Sequence, residues 1–76
     1  MSDINPYSLK DFDIKSQIAE VRREIRLRFI VYPRLVANGR MTQDESFRRQ
    51  KALEAVLQTL TEAARLEVER GQPRLL

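Results

Sequence analysis

The chain has 76 residues, neither cysteine nor histidine, and a formal net charge of +3. That composition allows one domain at most, no disulfide, and none of the usual thiolate or imidazole ligands for a metal. No apolar run approaches the roughly 20 residues that span a bilayer, and the N-terminus has neither a basic nor an apolar signal region, so the sequence reads as soluble and cytoplasmic.

The first dozen residues hold Pro6 and scattered Ile4, Tyr7, Leu9 and Phe12, and read as an irregular N-terminal arm, 1–12. Asp13 is placed to cap the helix that follows, with Gln17 near the capping-box position and Asp11 as a competing cap.

From Ile14 to about Val36 the pattern has helical period. Ile14, Ile18, Val21, Ile25, Phe29, Tyr32 and Val36 fall on one stripe. Pro33 removes a donor inside this pattern, and because the stripe continues in register a kink is expected there rather than a break. Gly39 is the expected stop, since glycine takes the left-handed conformation of a helix C-terminus without a Cβ clash.

Thr42-Gln43-Asp44-Glu45 reads as a capping box opening a second helix, from about Gln43 to Arg70. Its stripe uses Leu53, Val56, Leu57, Leu60, Ala63, Ala64 and Val68, with Phe47 at the edge, and Gly71 and Pro73 end it, leaving a tail, 71–76. So short a link, Ala37 to Met41, forces the helices side by side and antiparallel. The predicted fold is all-α: a helical hairpin of about 14–36 and 43–70 behind the arm, completed by self-association. Counting from the turn sets Tyr32 near Arg49 and Gln50, Phe29 near Leu53, Ile25 near Leu57, Val21 near Leu60, and Ile18 near Ala63 and Ala64.

A single hairpin buries only one side of its first helix. Leu27 and Ile30 lie opposite the stripe, with Val31 beside them. Unless the arm covers them, they form an apolar strip on a chain with little stability to spare, which points to an oligomer or partner interface.

Charge is uneven. Residues 1–21 carry two Lys and four acids, residues 22–51 nine Lys or Arg and three acids, and residues 52–76 three Arg and four acids. Many arginines have local acids in helical spacing: Glu20–Arg23, Glu24–Arg28, Asp44–Arg48, Glu45–Arg49 and Glu62–Arg65. Arg22, Arg26, Arg34 and Arg40 have none. These four suit either phosphates or an acidic protein surface.

Catalysis has little to stand on. Asp44 and Glu45 are best used as caps, Asp11 and Asp13 alternate in the arm, and "ANGRMT" is not a phosphate-binding loop, having one Gly, no Lys and no preceding strand. No catalytic, metal or cofactor site is assigned and no cofactor is expected.

The stretch "REIRLRFIVYPRLVANGRMTQDESFRRQKALEAVLQTL" carries Val31-Tyr32-Pro33-Arg34 and then Gly39-Arg40-Met41-Thr42. In these motifs the chain resembles a group of small uncharacterised proteins encoded in tailed phages and prophages, over about residues 23–60. The resemblance implies a phage setting inside a host bacterium and transfers no activity. The expected function is therefore a non-enzymatic protein-interaction module that binds a host or phage protein, self-associates, or both, with a dimer favoured. Its expected contact residues are Leu27, Ile30, Val31, Tyr32, Arg34 and Arg40. The alternative is a nucleic-acid-associated protein using Arg22, Arg26, Arg34 and Arg40. Against it, the helices are too long for a helix-turn-helix and the aromatic residues form no stacking platform.

Overall fold

A computed structural model describes residues 8–71. Two helices, α1 (Ile14–Ala37) and α2 (Gln43–Gly71), form an antiparallel hairpin behind a short 3₁₀ turn, Leu9–Asp11. There is no strand among the described residues. Ile4, Pro6 and Tyr7 of the expected arm, and the expected helix stop Pro73, lie outside them.

The local signals explain each boundary. Ser8 and Asp11 close a capping box on the 3₁₀ turn: the Lys10 amide donates to Ser8 Oγ at 3.2 Å, and the Ser8 amide donates to Asp11 Oδ2 at 2.8 Å. Asp11 is thereby occupied, and Asp13 caps α1, accepting from the Ser16 amide at 2.9 Å. Gln17 reaches back to the Phe12 carbonyl rather than to a free amide.

At the far end Gly39 takes φ +75°, the Arg40 amide donates to the Leu35 carbonyl at 2.8 Å and the Gly39 amide to Val36 at 3.1 Å. This pair of bonds is a Schellman closure, and it uses up carbonyls that the helix end leaves free. Thr42 then opens α2 by accepting from the Glu45 amide at 3.0 Å, while the Glu45 carboxylate turns to Arg49, also at 3.0 Å.

α1 runs unbroken through Pro33. Proline brings no amide hydrogen, so the Phe29 carbonyl loses its helical donor. The helix tolerates this four residues from its end, where the Schellman bonds and the packed Leu35 and Val36 hold the last turn.

The seam differs from the stripe expected above. The half-buried or buried positions of α1 are led by Ile14, Ile18, Val21, Ile25, Arg28, Tyr32 and Leu35, alternating steps of four and three. Those of α2 include Ser46, Gln50, Leu53, Leu57, Leu60 and Ala64, in the same alternation. This is the repeat of 3.5 that keeps two helices in contact along their length. Phe29, expected in the core, is 64% exposed, and Val56, Ala63, Val68 and Phe47 also face outward. The reason is rotational. The 3.5 repeat continues from Ile25 to Arg28, whose guanidinium pairs with Glu24 at 2.9 Å and lies over the Tyr32 ring, so its stem packs in the seam while its charge is satisfied.

One cross-hairpin bond fixes where the two stripes meet. Gln50 Nε2 donates to the Ile25 carbonyl at 3.2 Å, and Tyr32 and Ser46 line the same groove. Gln50, expected beside Tyr32, lines that groove with it.

The molecule is about one helix thick, 56 × 40 × 15 Å, so each seam residue has cover from one side only. Ile18, at 9% exposure, is the only buried apolar residue among the described ones.

Candidate functional site

A single layer has two broad faces, and helical spacing decides what each presents. On α1, Arg22, Arg26, Phe29 and Pro33 are spaced four, three and four apart and share one face. Phe47, Lys51 and Glu54 on α2 follow the same spacing and face the same way. Between them lies a groove of about 290 Å³, lined by Phe29, Tyr32, Pro33, Phe47, Gln50 and Lys51 among others. Phe29 and Phe47, 64% and 61% exposed, are its two projecting rings. Lys51 Nζ lies 5.8 Å from the centre of the Phe47 ring and 3.3 Å from Glu54. The Gln50 Oε1 atom is buried without a hydrogen-bond donor. A groove this small, open between two helices, suits one or two side chains of another polypeptide better than an enclosed small molecule.

The opposite face carries a shallower cleft of about 290 Å³ lined by Glu24, Leu27, Arg28, Val31 and Tyr32. Leu27 and Val31 are exposed there, and on α2 Ala52, Val56 and Ala63 are spaced to face the same way. Two of its arginines are matched internally, as Glu24 holds Arg28 and Glu45 holds Arg49, while Arg34, seven residues on from Leu27, shares the face without an ion pair among the described residues. Residues 8–12 leave this strip uncovered: Leu27, Ile30 and Val31 all remain exposed, and Leu9 is itself 90% exposed.

The structure therefore gathers Leu27, Val31 and Tyr32 on one face. Ile30 is exposed on the outer edge of α1, Arg34 is exposed near it, and Arg40 stands at the hairpin tip. Arg22, Arg26, Arg34 and Arg40 form no ion pair among the described residues, but they do not form one patch. By helical spacing Arg22 and Arg26 share the α1 face that carries Phe29, away from Arg34 and Arg40. Every expected local ion pair is present, from Glu20–Arg23 at 3.4 Å to Asp44–Arg48 at 3.8 Å. Arg65 bridges Glu62 and Glu69, and its hydrogen bonds and charge hold the Glu62 carboxyl below its ordinary value. Phe29 was missed as a surface residue because apolarity alone assigned it to the core, and Phe47, placed at the edge of its stripe, was not read as part of a surface groove. The signal that finds them is the strict four–three alternation, which passes through Arg28 and Gln50.

No cluster of three acidic side chains suited to a metal occurs among the described residues. No helix among them is long and apolar enough to cross a membrane. Compared with known proteins, the chain matches no family model, no curated protein and no solved structure.

Proposed function

We propose that this chain is a small non-enzymatic protein-interaction module, phage or prophage encoded, whose Leu27–Val31 face is covered by a second copy. One observation carries the reading: the 64 described residues bury one apolar side chain and leave ten large apolar ones exposed. Apolar surface on that scale, in a chain too short for a deep core, is what association removes from water. The face around Leu27 suits a copy because Arg28 and Arg49 are already paired there and its α2 half is lined by Ala52 and Ala63, which permit close approach. A two-fold pairing there makes a two-layer, four-helix arrangement. The phage setting rests on the Val31-Tyr32-Pro33-Arg34 and Gly39-Arg40-Met41-Thr42 motifs.

Sedimentation velocity at tens of micromolar tests it. A dimer is expected, dissociating in Leu27→Glu. A monomer, unaltered in stability by Leu27→Glu and Ile30→Glu, would refute it. The four unpaired arginines are not gathered on one surface, which weighs against a nucleic-acid role.

A further inference from the structure

The two faces differ in charge, and this decides what each accepts. The Phe29–Phe47 groove is lined by Arg28 and Lys51 against one acid, Glu54, which Lys51 already engages at 3.3 Å, and helical spacing puts Arg26 and Arg22 on the same face of α1, three and seven residues before Phe29. Arg22 and Arg26 have no acidic partner among the described residues. A second copy that meets this groove with its own, as a two-fold pairing requires, brings the same surplus of positive charge to it. Like charges brought together at an interface are repelled, so this groove selects against the chain itself.

We infer that the groove is a docking site for an acidic amphipathic segment of a partner protein, apolar side chains seated between Phe29 and Phe47 and carboxylates against Arg22 and Arg26. The inference rests on the interaction-module reading but concerns the other face. The stripe from Arg22 to Pro33 runs roughly 16 Å, about three turns of a docked helix. Aromatic rings and arginines are the side chains on which binding energy concentrates. An apolar anchor between the rings also removes from water the two most exposed phenylalanines of the hairpin.

The test is selection from a displayed library of random peptides of about 16 residues, roughly four helical turns, against the full chain. Enriched peptides are expected to carry two or more large apolar residues in helical spacing and a net negative charge. Their binding should fall at least about tenfold in Phe47→Ala and in Arg26→Glu, and survive in Leu27→Glu at protein concentrations where circular dichroism shows that variant still helical. Arg26→Glu is solvent-exposed, so circular dichroism showing a native helix content keeps that arm interpretable. The inference is overturned if nothing is enriched, if enriched peptides are neutral or basic, if they ignore the groove substitutions, or if a duplex oligonucleotide displaces them and binds more tightly. Groove substitutions that abolish peptide binding while sedimentation still shows the dimer separate failure of this inference from failure of the dimer reading.

Discussion

Gly39→Ala isolates the cost of the hairpin turn. Gly39 sits at φ +75°, and a Cβ built on it meets no atom within 4 Å. No steric clash with the surroundings contributes, so the whole effect is the strain of placing an L side chain in the left-handed region, about 1–2 kcal/mol. The Schellman bonds from Arg40 to Leu35 and from Gly39 to Val36 hold that conformation in place, so the chain cannot relax without losing them. Gly71 is the matched control. It also has open space around it, but it lies inside α2 without a positive φ. Gly71→Ala should be neutral or stabilise by at most about 1 kcal/mol, through the gain in helix propensity. Urea unfolding followed by circular dichroism, at one fixed protomer concentration, reads both. The expected result is a lower midpoint for Gly39→Ala with an unchanged slope, equivalent to a melting shift of about 4–8 °C per kcal/mol for a domain of this size. Equal stability of Gly39→Ala and the parent chain would mean that the turn is made elsewhere.

Thr42→Ala removes the acceptor of the Glu45 amide and should cost about 1 kcal/mol in the same unfolding assay. Pro33→Ala returns an amide donor to the Phe29 carbonyl and should raise stability, by up to about 3 kcal/mol. The Ser16 amide, with Ser16's side chain next, holds the Asp13 carboxyl below its ordinary value of 3.8. Its folded value being the lower one, its contribution is present above the unfolded value and is lost as pH falls through the folded one; Asp13→Asn should therefore flatten the parent's decline in stability below about pH 4. Duplex DNA should bind weakly in a gel-shift series, with no complex surviving about 150 mM salt. Four phosphate contacts by Arg22, Arg26, Arg34 and Arg40 would instead give a log–log salt slope of about −3 to −4.

Boundaries were the legible part of this sequence. Asp13, Gly39 and Thr42 each act through one or two backbone hydrogen bonds made by their nearest neighbours, so local chemistry suffices to place them. α1 ends one residue and α2 one residue beyond their expected limits, and the ion pairs at helical spacing formed as read. Rotation of the helices about their axes was not legible in the same way. α1 carries apolar residues nearly all round, at Ile25, Leu27, Phe29, Ile30 and Val31, so hydrophobicity selects no single seam. The choice is made by two polar residues that can be satisfied inside it. Arg28 is neutralised by Glu24 and stacked on Tyr32, and Gln50 bonds the Ile25 carbonyl across the hairpin. Both depend on the partner helix or the preceding turn. Their admission to the seam pushes Phe29 and Phe47 out to the surface, and so creates the groove.

The most direct measurement for the incomplete hairpin is the concentration dependence of its thermal unfolding, followed by circular dichroism over a hundredfold range of protomer concentration. A two-fold dimer that folds as it associates gains about 1.4 kcal/mol of apparent stability per tenfold in concentration. The melting temperature should therefore climb by several degrees for each tenfold step in the parent chain and stay level in Leu27→Glu. A parent melting temperature that is high and independent of concentration would show that the hairpin needs no second copy.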